Sequence, residues 1–251
     1  MKINTYLVPF FPENEEHLAN SIVVYIDVLR ATTTICAALA NGAREVIPID
    51  TIEKAVSLFS QMSKETTILA GERNGIKLNG FTLGNSPADF TPEMISGKSV
   101  ILTTTNGTLA LQKGKHSLER LICSFNNISA VSAHIINCAT KTNEPNPLNF
   151  LNIICSGNNG TFSYEDALCT GALIRSILDG QIDLELSDSS DAALVLFNSK
   201  RDVLDQTIIN GEHARALIKI GLESDVQDAL VWDKYSLLPV VTGNSIKIIN
   251  N

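Results

Sequence analysis

Ser21-Ile-Val-Val-Tyr-Ile-Asp-Val-Leu-Arg-Ala-Thr-Thr-Thr34 is the stretch whose reading decides the fold. Ile22 to Ile26 is an unbroken apolar run, mostly β-branched, the pattern of a strand buried on both faces. Asp27 follows directly and Arg30 comes three residues later. Ala31, three threonines and the run Ile35 to Ala40 then predict a helix, closed by Asn41-Gly42. An acid and a guanidinium therefore stand where a central strand gives way to a helix. In open α/β sheets that end of the strands is where ligands bind. The same two residues admit a structural reading, with Asp27 capping the helix and Arg30 paired to a surface acid.

The design recurs on either side. Ser99 to Thr103 is a second apolar strand, followed by Thr104-Thr105-Asn106-Gly107-Thr108 and a helix from Leu109 to about Lys113. Phe150 to Cys155 is a third, with the turn Ser156-Gly157-Asn-Asn-Gly-Thr161 and a helix entered through Tyr164-Glu165-Asp166 and running to about Leu178. Three strand–turn–helix units predict a mostly parallel sheet. Their turns offer N–H groups, hydroxyls and a favourable helix dipole to an anion, although threonine and asparagine also cap helices for structural reasons alone. No G-x-x-x-x-G-K-[ST] and no G-x-G-x-x-G occurs.

Thr67 to Gly71 is a further strand, and it delivers a second acid–arginine pair, Glu72-Arg73. Asn74 to Phe90 is long for a connection and carries Gly75, Gly80 and Gly84 beside Phe81, Leu83 and Phe90. It reads as an ordered loop over a site, with Gly84-Asn85-Ser86-Pro87 as a donor-rich turn; a plain Ω-loop is the alternative. Strands are also expected at Ile3 to Val8, Glu45 to Asp50 and Leu118 to Ser124, and helices from Thr51 to about Lys64 and over Ile128 to Cys138. The C-terminal third reads as helices at Ser190 to Phe197, Arg201 to Ile208, His213 to Ile220 and Asp225 to Leu230, then a hairpin about Thr242-Gly-Asn244. His213, behind Gly211, reads as a capping or surface histidine. With no low-complexity linker, residues 1–251 are expected to form one compact unit, two intertwined α/β subdomains being the alternative.

A formal charge of −8 argues against nucleic acid or an anionic membrane as partner, so an anionic substrate needs a local basic patch or a metal. The five cysteines lie in apolar contexts with no C-x-x-C and are expected to be reduced core residues, neither disulfides nor a zinc site. With Pro9, Pro12 and the acids after them, no signal peptide is expected in this stretch, and the polar residues in Leu121 to Thr140 make it a poor membrane span. The expected location is cytoplasmic.

I-D-V-L-R-A-T-T-T-I, A-G-E-R-N-G-x-K-x-x-G-F-x-L-G-N-S-P, L-T-T-T-N-G-T and C-S-G-N-N-G-T-F-S-Y-E-D, in that order, resemble the ComB family of 2-phosphosulfolactate phosphatases. The resemblance covers residues 21 to 178, with a looser likeness at Gly221-Leu-Glu-Ser-Asp225-Val226. It implies a three-layer α/β/α fold with related subdomains and a Mg²⁺-dependent phosphatase that converts 2-phosphosulfolactate to sulfolactate and phosphate, a step of coenzyme M synthesis in methanogens.

The residues agree, on physical grounds, with the chemistry that the resemblance implies. A polyanionic ester facing an acidic protein calls for Mg²⁺, which takes a few carboxylate oxygens and keeps several waters. Asp27, Glu72, Glu165 and Asp166 are the candidate metal ligands. Asp27, Arg30 and Glu72 are the candidate catalytic residues, and Arg73, Asn85, Ser86, Thr104, Thr105, Asn106, Gly107 and Gly157 the candidate substrate contacts. No D-x-D-x-T is present, and Cys155, at the head of the Ser156–Thr161 turn, has no arginine after five intervening residues, so metal-assisted attack by water is preferred over an aspartyl-phosphate at Asp27. The expected partner is a small anionic phosphorylated substrate, with a homodimer as the assembly allowed for. The competing readings are a phosphatase of the same fold acting on another phosphorylated hydroxy acid, and a non-catalytic sulfonate- or phosphate-binding protein. The second is disfavoured by four acids that would repel an anion unless a cation intervened.

Overall fold

The computed structural model describes residues 1–10, 18, 20–106, 110–111, 114–141 and 148–249. Strands β1 (Lys2–Tyr6) and β2 (Ser21–Ile26) precede helix α1 (Ala31–Ala40), and β3 (Glu45–Pro48) and α2 (Ile52–Gln61) follow. β4 (Thr67–Arg73) folds back through β5 (Ile76–Lys77), a two-residue strand inside the Asn74–Phe90 stretch that its sequence does not announce. Next come α3 (Pro92–Ile95), β6 (Ser99–Thr103), β7 (Glu119–Cys123), α4 (Ile128–Thr140), β8 (Phe150–Cys155) and α5 (Tyr164–Asp179). β9 (Glu185–Leu186), α6 (Asp188–Lys200), α7 (Leu204–Ile209), α8 (Glu212–Lys219) and α9 (Glu223–Ala229) lead to the hairpin β10 (Pro239–Thr242) and β11 (Ser245–Ile248). The helix expected from Leu109 to Lys113 falls largely outside the described residues. Among those described, no helix is long and apolar enough to cross a membrane.

All six residues of β2 are buried, and the alternation of a strand divides them between two cores. Ile22, Val24 and Ile26 join Leu121, Ile153 and the inner faces of α4 and α5. Val23 and Tyr25 point the other way, toward Ile35 and Leu39 of α1. Helix α1 has no polar face: Ala31 to Leu39 are all buried. A helix apolar all round must be enclosed, and this one is. The same cluster gathers Ile68, Ala70, Val100 and Leu102 from β4 and β6 against it. Its threonine hydroxyls are all satisfied, two of them locally: Thr32 donates to Asp27 O at 2.8 Å and Thr33 to Val28 O at 2.8 Å, while Thr34 donates across to Asn85 O at 3.0 Å. On the far side of β2, α5 and α6 cross so closely that a Cβ on Gly171 would lie 2.2 Å from Ala193 O.

The 11 strands among the described residues run in the order β5-β4-β6-β3-β11-β10-β7-β2-β8-β1-β9. β4, β6 and β3 are mutually parallel, and so are β7, β2, β8, β1 and β9. The C-terminal hairpin sits between these halves, antiparallel to β3 on one side and to β7 on the other. Three antiparallel steps reverse the second half relative to the first. Sheet twist compensates: at about 20–25° per strand, the six steps from β4 to β2 accumulate roughly 120–150°. Residues at or just beyond the C-terminal ends of β2, β4, β6 and β8 line one cavity together with Arg30, at the N-terminus of α1.

Candidate active site

Asp27 leaves β2 with its side chain 5% exposed, and its Oδ1 accepts the Ala31 N–H at 3.1 Å. It therefore does cap α1, yet it also lines a cavity of about 250 Å³. Burial pushes its carboxyl up to about 6; the His213 charge and the Ala31 N–H pull it down, while Glu72 and Glu165 push it further up.

Arg30, reached through a cis peptide from Leu29, lines the same cavity. Its Nη1 donates to Asp225 Oδ2 at 2.5 Å and its Nη2 to Gly75 O at 3.0 Å. The Arg30–Asp225 pair is buried at both ends, so the partner is an interior acid of α9 and not a surface one. Ser86 donates to the other oxygen of Asp225 at 2.6 Å and is not among the cavity-lining residues. The turn expected to meet substrate through Ser86 instead braces the arginine from behind.

Glu72, 6% exposed, takes the Thr105 N–H on Oε1 and the Gly75 N–H on Oε2, both at 2.7 Å. This carboxylate clamps the end of β4 to the turn after β6. Arg73 is its neighbour in an extended strand and turns elsewhere, donating to Glu72 O at 2.7 Å and Thr103 Oγ1 at 3.0 Å, outside the cavity lining. Thr104, Thr105 and Asn106, the candidate substrate contacts after β6, line the cavity, and Asn106 Oδ1 accepts the Asn159 N–H at 3.1 Å, which joins the turns after β6 and β8. Gly107 lies outside the described residues.

Glu165 and Asp166 lie behind the cavity, at the start of α5. Asp166 accepts Val28 N–H and Gly157 N–H, each at 2.9 Å, one on each oxygen. Burial, with the charges of Glu165 and Asp27, raises it well above the usual carboxylate range. Gly157 adopts φ +61°, and a Cβ there would lie 2.2 Å from Thr161 O, so it shapes the turn without lining the cavity. Glu165 Oε1 holds His213 Nδ1 at 2.8 Å. His213 does line the cavity, against the expectation of a surface or capping role. Burial disfavours its charged ring, but the Glu165 bond and the Glu165 and Asp27 charges outweigh this and raise it above 6.5.

Oxygen donors suited to a hard cation are present at the cavity: the carboxylates of Asp27 and Glu72, and Asn85, whose buried Oδ1 has no hydrogen-bond partner. Asn158, Asn159, Asp225 and His213 were not singled out as site residues from the sequence. Asn158 and Asn159 stand inside the C-S-G-N-N-G-T motif and Asp225 inside the looser Gly221–Val226 one, whereas His213 carries no such signal.

A protein-family profile described as 2-phosphosulpholactate phosphatase matches residues 10–244. The chain is 37% identical over 234 residues to a probable 2-phosphosulfolactate phosphatase of Caldanaerobacter subterraneus subsp. tengcongensis, covering 93% of each chain. It is 39% identical over 218 residues to the protein of the same description from Thermotoga maritima, covering 87% of this chain and 88% of that one. The protein so described from Clostridium beijerinckii is 35% identical over 227 residues, 90% of each.

Proposed function

The chain belongs to the 2-phosphosulpholactate phosphatase family, and from that premise we propose that it hydrolyses 2-phosphosulfolactate to sulfolactate and phosphate with the help of Mg²⁺. The observation that carries the reading is the meeting, in one small cavity, of two carboxylates, a braced arginine and a histidine backed by a glutamate. A site meant only to bind an anion gains nothing from Asp27 and Glu72 at its wall; a site that takes a cation and a phosphate together needs them.

Asp27, Glu72 and Asn85 Oδ1 would hold the cation, with Glu165 and Asp166 behind them. When bound, Mg²⁺ supplies charge neutralisation for the phosphoryl oxygens. Arg30 offers a guanidinium whose orientation is fixed in advance by Asp225 and Gly75, suited to an equatorial phosphoryl oxygen or to the second anionic end of the substrate. His213 is oriented by Glu165 through Nδ1, leaving Nε2 for the cavity. Its raised pKa favours the imidazolium, and an aliphatic alkoxide leaving from phosphorus needs a proton. Water oxygen bonds to phosphorus, the phosphorus–ester oxygen bond breaks, and the alkoxide takes the His213 proton. The proton released by the water restores the imidazolium.

The test is phosphate release from 2-phosphosulfolactate, 2-phospholactate, 2-phosphoglycolate and p-nitrophenyl phosphate, with Mg²⁺ and in excess EDTA. The expected result is a preference for the sulfonated ester, abolished by EDTA and restored by Mg²⁺. Undiminished turnover in EDTA removes the cation from the reading. A preference for the unsulfonated esters moves the activity to another phosphorylated hydroxy acid.

A further inference from the structure

Glu119 is the first residue of β7 and pairs with Ile22, whereas Cys123 at the other end pairs with Ile26 beside Asp27. The strand therefore places Glu119 about 13 Å along the sheet from the catalytic edge. There it meets helix α4. His134 Nε2 lies 2.6 Å from Glu119 Oε2 and 3.5 Å from Cys138 Sγ. The three side chains bring one oxygen, one nitrogen and one sulfur within 4.8 Å of one another.

We propose that Glu119, His134 and Cys138 bind one borderline-soft divalent ion of the Zn²⁺ kind, with the remaining position left to water. Three observations carry this. First, both Glu119 and Cys138 approach the same imidazole nitrogen. A hydrolytic or redox relay places its two partners on opposite ring nitrogens; convergence of three donor atoms on one point is the arrangement of a chelate. Second, His134 and Cys138 are four apart on α4, so they share a face one turn apart, and the strand supplies the third donor. Third, the donor set matches the ion: nitrogen, thiolate and carboxylate suit Zn²⁺, whereas the catalytic cavity offers hard oxygens. Zn–N and Zn–O bonds of about 2.0–2.1 Å and a Zn–S bond of about 2.3 Å put tetrahedral ligand atoms roughly 3.3–3.6 Å apart. The sulfur–nitrogen distance already fits, and the nitrogen–oxygen distance needs to open by less than about 1 Å.

Access is available: the His134 and Glu119 side chains are 19% and 24% exposed, and Cys138 is the one cysteine of the five that is not fully buried. Cys138, expected with the others to be a reduced core residue, is free and packs at the edge of the core, half-buried. The ion would staple α4 to β7 and take no part in hydrolysis.

The probe is Co²⁺, titrated into the reduced full chain after treatment with chelator. One equivalent is expected to bind with the intense visible bands of a four-coordinate site and a near-ultraviolet thiolate-to-cobalt band, apart from any Co²⁺ taken by the oxygen donors of the catalytic cavity, which gives no thiolate band, and Zn²⁺ is expected to displace it. Cys138→Ser should abolish the thiolate band with phosphate release unchanged. His134→Gln should weaken binding by more than about 10-fold, the lower bound set by loss of even an outer-shell partner. A second measurement needs no variant: saturating Zn²⁺ should slow alkylation of Cys138 in the wild-type protein, read by peptide mass. No thiolate band, a band that survives Cys138→Ser, or alkylation at the same rate with and without Zn²⁺ overturns the proposal and leaves a glutamate–histidine ion pair beside a thiol.

Discussion

The acid–arginine pair at the end of β2 and the one at the end of β4 are alike in composition, but they part company in space. Asp27 and Arg30 both line the cavity; Glu72 lines it and Arg73 does not. Glu72 and Arg73 are consecutive residues of one strand, and consecutive strand side chains leave on opposite faces. One of them can serve the cavity, and the other must then go elsewhere, here to Thr103. Asp27 and Arg30 are three apart across a strand end and a helix start, which lets both reach the same space. The lesson is that a charged pair should be read against the period of the element that carries it before either charge is given a role.

The comparison breaks or holds by experiment. The largest effect is expected at Asp27→Asn, which should lower kcat by several orders of magnitude, on the order of 10⁴. The same variant should be more stable than wild type when both are measured in EDTA at pH 7. A carboxyl raised from its ordinary 3.8 to about 6 by folding favours the protonated form, so its charge costs stability above pH 6, on the order of 3 kcal/mol, and nothing below about pH 4. Denaturant melts at pH 7 and pH 4 should show the advantage of Asn at the first and its loss at the second. An active Asp27→Asn enzyme would reduce Asp27 to a helix cap.

His213→Gln comes next, with a loss of about 10²–10⁴ in kcat. A general acid works while protonated, so wild-type kcat should fall as the pH rises through a pKa above 6.5, and the variant should lack that limb. A pH profile identical in both removes the acid role.

Arg30 and Arg73 test the comparison directly. Arg30→Lys keeps the charge but loses the fork held by Asp225 and Gly75, and should cost roughly 10- to 150-fold in kcat/KM on the sulfonated ester. Arg30→Met should also destabilise by about 3–5 kcal/mol, because Asp225 is left charged and buried without its partner. Arg73→Lys is the smallest effect, within about 3-fold in kcat/KM. If steady-state kinetics show equal losses for the two lysine variants, the two strand ends are equivalent after all.

Much of the fold was legible because its signals are local. The apolar run Ile22 to Ile26, the all-apolar face count of α1 and the Asn41-Gly42 stop each reflect neighbours within a few residues. The site was legible where a residue's place depends on its own strand end, as at Asp27, Glu72, Thr104 and Thr105. It was not legible where the place depends on a distant partner. Glu165 and Asp166 open a helix as expected, but their oxygens are taken by His213, 48 residues on, and by Val28, 138 residues back. Arg30 is fixed by Asp225, 195 residues away. His213 follows a glycine on a short helix, and no local pattern distinguishes it from a cap. Even the i, i+4 spacing of His134 and Cys138 acquires meaning only when β7 brings Glu119 alongside.

The hairpin β10–β11 has a bearing on how the chain is made. β3 and β7 each wait for it to cover one side, and it is the last of the described strands to leave the ribosome. At about 5–20 residues per second, roughly 10–40 s separate the emergence of β3 from that of its partner β11. Once β8 has followed β7, and until the hairpin arrives, the nascent chain holds two parallel half-sheets, each with an open edge that can recruit another strand. The final ten or so residues of the sheet thus act as a zip closed only after every other described strand has been made, and a ribosome that stops short of Pro239 releases a product with two exposed edges, a substrate for chaperones or for aggregation.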